Sequence, residues 1–149
     1  MITTILLVIG GAIIYAIIGT IWYSNATPMG KIHMRYLGMD KLSPEELAQK
    51  MQAGKAMMPK MYAAQMGLSL LTSFWIVLVV TESVRNGLPL SMGVGFSILG
   101  WLCFMVPSIG TSILWSNCDR SIAWKKFFSD IASNLVTIIV IALVVGLFV

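Results

Sequence analysis

Four stretches of this chain run for about twenty residues with almost no charge, and that feature limits the folds open to it. Met1 to Tyr23 contains no Asp, Glu, Lys or Arg, and its centre from Ile5 to Trp22 is nearly all apolar. Met61 to Thr81 is a second such run, Leu88 to Asn117 a third interrupted by Pro107, and Ile131 to Val149 a fourth. A helix needs about 20 apolar residues to cross the hydrocarbon of a bilayer. Strands do not fit: backbone polar groups in lipid must be satisfied internally, and a barrel needs short alternating segments. Composition agrees. The chain is 58% hydrophobic and 11% charged, against roughly 45–50% and about 25% in a soluble domain, and its mean hydropathy is +0.87. So few charges cannot solvate a compact body of 149 residues. A water-soluble enzyme, a disordered chain and a disulfide scaffold are therefore poor readings. The reading is one integral membrane domain, residues 1–149, with spans at about 2–24, 61–82, 90–116 and 128–148 and a segment 25–60 between the first two. The first span lacks the basic start of a cleavable signal peptide and its apolar run is too long, so it is read as a retained helix.

Basic residues orient the spans. Lys31, Arg35, Lys41, Lys50, Lys55 and Lys60 fall between spans one and two, and Arg120, Lys125 and Lys126 between spans three and four. Only Arg85 lies between spans two and three. Basic loops stay in the cytoplasm. The expectation is a multi-pass protein of the cell (inner) membrane, with loops 25–60 and 117–127 cytoplasmic and both termini and the Glu82–Pro89 turn outside. The pI of 9.3 then has a topological cause. A nucleic-acid partner is set aside, and contact with membrane lipids bearing anionic headgroups is the more natural use of the charge.

The segment between spans one and two carries helix signals. Thr27-Pro28 and Ser43-Pro44 both read as an N-cap followed by an N1 proline. Ser43 to Glu46 also forms a capping box. The first helix is predicted from Pro28 to Leu37, stopping at Gly38, with Met29, Ile32, Tyr36 and Leu37 on one face. That is the pattern of a short interfacial helix. The second runs from Pro44 towards Met58, and Pro59 predicts a bend before span two.

The chain also echoes itself. Ile18-Gly19-Thr20-Ile21-Trp22-Tyr23-Ser24-Asn25 ends span one, and Ile109-Gly110-Thr111-Ser112-Ile113-Leu114-Trp115-Ser116-Asn117 ends span three. Either two apolar tails are alike by chance, or a helix pair is duplicated about an axis along the membrane normal. Gly19 to Ser24, then Gly30-Lys31, Met34 and Gly38, resemble the opening of the family called domain of unknown function 1761, small prokaryotic four-helix membrane proteins. The Trp115 region and the apolar last span fit its second half, although the family often places Trp where His33 stands. The resemblance implies four spans and no assigned activity.

Polar residues within the spans mark where chemistry can sit. Span two has Gln65, Ser69, Thr72 and Ser73, span three Ser108, Thr111, Ser112 and Ser116, and span four Asp130, Ser133, Asn134 and Thr137. Nearly all fall in the cytoplasmic half under this topology, reaching roughly 15–18 Å inward, while Val77 to Val80 and Ile138 to Val149 make the outer half aliphatic. Trp22, Tyr23 and Trp115 stand at the mouth. The functional reading is a ligand-holding vestibule formed by Trp22, Tyr23, Gln65, Ser69, Ser108, Ser112, Trp115, Asp130 and Asn134. The structural alternative is that small hydroxyl residues let helices pack and aromatic residues form an interfacial belt. Asp130 is the acid closest to a span interior, with Lys125 and Lys126 near enough in sequence to snorkel alongside. It can equally be a helix-start carboxylate.

Other chemistries lack their residues. One histidine, His33, excludes bis-histidine haem and a His-rich metal site. Cys103 and Cys118 would lie about 22 Å apart on a helix and cannot bridge. Eleven methionines suit Cu(I), but they equally fill irregular apolar interfaces. No nucleophile–base motif, phosphate loop or nucleotide fingerprint appears. The expectation is an all-α bundle of four spans in two similar hairpins, with short cytoplasmic interfacial helices, no catalytic residues, no metal and no cofactor. It binds a lipid or small ligand and forms a homo-oligomer through faces such as Ser108/Ser112 and Ser129/Ser133/Thr137. The alternatives are a small solute carrier or channel, and an accessory subunit of a larger membrane complex.

Overall fold

The computed structural model describes residues 2–149, all-helical with no strand among them. α1 runs Ile2–Trp22, α2 Pro28–Tyr36, α3 Pro44–Gly54, α4 Met58–Arg85, α5 Leu90–Gly100, α6 Val106–Leu114 and α7 Arg120–Gly146. A short 3-10 turn, Met39–Lys41, joins α2 to α3, and a π-helical turn, Trp101–Met105, joins α5 to α6. Four helices are long and apolar enough to cross a membrane: Ile2–Trp22, Met58–Arg85, the composite Leu90–Leu114, and Arg120–Gly146.

Local chemistry sets most boundaries where the sequence predicts them. The Thr27 hydroxyl accepts from the Gly30 amide and Pro28 opens α2. Ser43 and Glu46 complete the capping box that starts α3. α2 ends at Tyr36, and Gly38 adopts φ 66°, which glycine tolerates without a Cβ clash. The bend before span two occurs at residues 55–57, and α4 restarts at Met58 with Pro59 in its first turn. Pro107 has no amide to give to the preceding turn. The helix absorbs this by widening upstream, where the Val106 amide donates to the Trp101 carbonyl five residues back.

Span four differs from expectation. Its helix begins at Arg120, not near residue 128, because the Asp119 carboxylate caps the Ser121 and Ile122 amides. Most of the stretch 117–127 read as a loop is therefore the first two turns of α7.

α4 and α7 pack against each other, and both α1 and α5 pack against this pair. The apolar core is Ile76, Val77 and Val80 of α4 with Ile138, Ile141, Ala142 and Val145 of α7, flanked by Leu7 and Val8 of α1 and Leu90 and Val94 of α5. It fills the half of the bundle farther from α2 and α3. At the other end α2 packs on α7 and α6 also packs on α7. Residues 58–68 of α4 are exposed on every side, so the bundle opens there.

Gly30 is what lets α2 fold back on the end of α1. A Cβ at that position would lie 1.9 Å from the Ser24 carbonyl oxygen, a backbone atom with no freedom to yield. Gly30→Ala is expected to lift α2 from the bundle. Amide exchange over residues 28–36 should quicken while the long helices keep their protection, and unchanged exchange in α2 would contradict the packing role.

Candidate functional site

The early start of α7 places Lys126 and Asp130 one turn apart on one helix face, where they form a bidentate ion pair. Their side chains are only 9% and 16% exposed. Removing both charges from water costs several kcal/mol per ion, recovered only if further hydrogen bonds complete the pair. Those bonds come from α1. The Tyr23 hydroxyl donates to Asp130 Oδ1 at 2.6 Å. The Lys126 ammonium also lies 5.0 Å from the Tyr23 ring centre and 5.7 Å from that of Tyr36, within cation–π range. One turn further along, the Tyr15 hydroxyl donates to Asn134 Oδ1 at 2.7 Å, and Asn134 Nδ2 donates to the Asp130 carbonyl. Behind the pair, Trp22 Nε1 donates to the Ser129 hydroxyl at 3.1 Å.

These three bonds from α1 and Tyr23 to α7 are the side-chain to side-chain hydrogen bonds that cross between helices among the described residues; the Arg120 guanidinium also donates to the Leu114 carbonyl of α6. Of the buried hydroxyls elsewhere, several bond to their own helix, while those of Ser73 and Thr81 have no hydrogen-bond partner. Ser83 donates to the Val79 carbonyl and Ser97 to that of Gly93, both away from the α2 end. Polar side chains therefore occur in both halves, but the ones that join helices gather at one end.

His33 of α2 packs on the Tyr23 ring, with centroids 5.2 Å apart. Its Nδ1 is buried without a hydrogen-bond partner. Burial holds the imidazole below its ordinary value near 6.5; the Lys126 charge adds to this and the Asp130 charge opposes it.

Around these groups lies an open cleft of about 630 Å³. Tyr23, Gln65, Asp130 and Asn134 of the predicted set line it, together with Tyr15, Thr20, His33, Tyr62, Lys126 and Ser133. Trp22 braces it from behind through Ser129. Ser69 is fully buried and donates to the Gln65 carbonyl. Ser108, Ser112 and Trp115 are exposed and outside the cleft lining; Ser112 donates to the Ile109 carbonyl of its own helix. Sequence reasoning gave Lys126 to a loop and so missed its face. The Asp119 cap and the i,i+4 spacing to Asp130 were the available signals. Tyr15 had no signal beyond being a phenol in an apolar run, and nothing local placed His33 against Tyr23.

Chemically, the cleft offers one buried ion pair, phenol hydroxyls and carboxamides, and no net charge beyond the pair. It can receive hydrogen bonds and charges of either sign at one wall and apolar groups at the rest. Among the described residues no group of three His, Cys, Asp or Glu could hold a metal ion.

A family model described as "Protein of unknown function (DUF1761)" matches residues 6–146, and the chain belongs to that family. No curated protein and no solved structure matches it.

Two outcomes follow. Lys126→Met leaves Asp130 buried and unpaired, and should cost about 3–5 kcal/mol in detergent unfolding, while adding Asp130→Leu should restore much of it. For His33, the folded state binds fewer protons than the unfolded chain between the depressed value and about 6.5, so stability is lost as pH falls through that window. Amide exchange over α2, corrected for intrinsic rate, should quicken on acidification, and His33→Asn should flatten the response.

Proposed function

We propose that this member of a family without assigned activity is an integral membrane protein that binds a lipid or small ligand, polar at one end and apolar elsewhere, in the cleft beside Lys126 and Asp130. The observation that carries the reading is a largely buried ion pair, with the Tyr23 hydroxyl on its carboxylate, at the wall of an open cleft. The cleft gives a polar group access to that pair. The apolar lining from Ile109 and Ala16 suits the rest of such a molecule.

The cleft is assigned to the cytoplasmic side. Nine of the ten Lys and Arg residues lie at the end with α2, α3 and the start of α7, and the tenth, Arg85, is paired with Glu82 at 3.0 Å. Positive residues are retained in the cytoplasm, which puts both termini and the α4–α5 turn outside. A transport path through one chain is disfavoured because the α4–α7 core closes the far half. A homo-oligomer, or a place within a larger complex, is a further proposal supported by the exposed start of α4. In the same reading, α1–α4 and α5/α6–α7 are two similar hairpins. Exchanging them carries α1·α4 onto α5·α7, and α1·α7 onto α4·α5, contacts that are all present.

The test uses single cysteines at Thr20, Gln65 and Ser112 in a chain with Cys103→Ser and Cys118→Ser. An impermeant maleimide should label Thr20 and Gln65 variants from the cytoplasmic face only and leave Ser112 in lipid unlabelled. Native mass measurement should show a retained molecule that Asp130→Asn releases. Labelling of the cleft from outside, or a retained molecule indifferent to Asp130→Asn, would refute the reading.

A further inference from the structure

A second hollow, of about 520 Å³, lies outside the cleft, where the end of α2 and the 3-10 turn meet the α6–α7 connection. Arg35 and Lys41 form part of one wall, and Asn117 and Asp119 part of the other. Asp119 is occupied as the cap of α7, its Oδ1 accepting from the Ser121 and Ile122 amides at 2.9 and 3.3 Å. Arg35 and Lys41 are exposed and take part in neither of the ion pairs among the described residues. The hollow thus holds two cations from two separate elements and one carboxylate tied to the α7 amides, leaving its lining net positive.

Its position is the second observation. It lies at the level where α6 ends at Leu114 and α7 begins at Arg120, the boundary between apolar span and polar end. Leu37, on its wall, is 43% exposed, and Trp115, next to its lining residue Ser116, is 85% exposed. Cations that open towards a membrane surface beside apolar side chains match a molecule with phosphate at one end and hydrocarbon at the other. A soluble anion would use the cations but not the exposed Leu37 on the same wall.

We propose that this hollow binds the phosphate headgroup of an anionic phospholipid, with Arg35 and Lys41 holding the phosphate and Leu37 and Trp115 against the acyl chains. The proposal rests on membrane insertion as read above, but not on a ligand in the Lys126–Asp130 cleft. In the test, the full chain in neutral detergent is titrated with phosphatidylglycerol and, separately, phosphatidylcholine, and bound lipid is counted by native mass spectrometry. One phosphatidylglycerol per chain should be retained in preference to phosphatidylcholine. The double variant R35Q/K41Q should weaken that retention on the order of tenfold. K50Q/K55Q removes the same charge from exposed positions at α3 and should leave it unchanged. Equal retention of both lipids, equal loss in K50Q/K55Q, or no loss in R35Q/K41Q would overturn the site. Inorganic phosphate that strips the bound lipid would make it a soluble-anion site and overturn it too. K41Q alone serves if the double variant loses its helical circular dichroism, and should show a smaller loss in the same direction. Alkaline extraction of native membranes checks insertion separately: a chain that stays in the pellet yet fails the titration refutes the headgroup site alone.

Discussion

Asp130 carries a negative charge into a helix that continues as an apolar span, and the end of the bundle is organised around answering that charge. Lys126 supplies the counterion from the same helix, and Tyr23 supplies a hydroxyl from the end of α1. Because one of these partners comes from another helix, satisfying Asp130 also fixes α1 against α7. Tyr36 and His33 of α2 then stack around the Lys126–Tyr23 unit. An ion pair of this kind adds little net stability over a well-packed apolar pair, since desolvation offsets attraction. Its larger effect is to specify geometry, because few arrangements complete the hydrogen bonds of a buried carboxylate.

The two halves of the bundle follow different packing rules. Away from α2 and α3, β-branched residues of α4 and α7 interlock in a core with fully buried members such as Val77, Val80 and Ile141. Serines there serve as small contact residues: Ser83 and Ser97 close on their own helices, and Ser73 packs beside Gly11 with no hydrogen-bond partner. In lipid, apolar burial gives little drive to bring helices together, so shape and small residues do much of the work. At the α2 end, shape complementarity is lost where α4 stands free, and hydrogen bonds between α1 and α7 take over. The cleft is the space left by that exchange.

Some of this was legible in the residues alone. The four spans followed from charge-free runs, since length and apolarity are properties of a segment by itself. The caps of α2 and α3 followed from Thr27, Ser43, Glu46 and the prolines beside them, because capping is a local hydrogen bond. Asp130, Asn134, Gln65 and Tyr23 stood out as polar groups in apolar surroundings, and the fold brings them to one cleft. Ser69, Ser108, Ser112 and Trp115 looked equivalent in one dimension. Ser69 is buried in helix packing and the other three face outward, because the direction a side chain faces is set by how its helix packs and not by its residue type.

What the sequence by itself determined was the number of spans, the concentration of positive charge at one end, and the helix starts in the segment after span one. Each depends on the content of single segments and their order along the chain. Only the tertiary structure decided that Tyr15, Tyr23 and Trp22 bond to α7, that His33 covers Tyr23, and that Lys126 faces inward with Asp130. Those contacts join residues more than a hundred positions apart, need α2 to fold back on the end of α1, or turn on the phase of a helix whose start was set by Asp119. The direction in which a side chain meets a distant partner is a property of the assembled bundle, not of its segments.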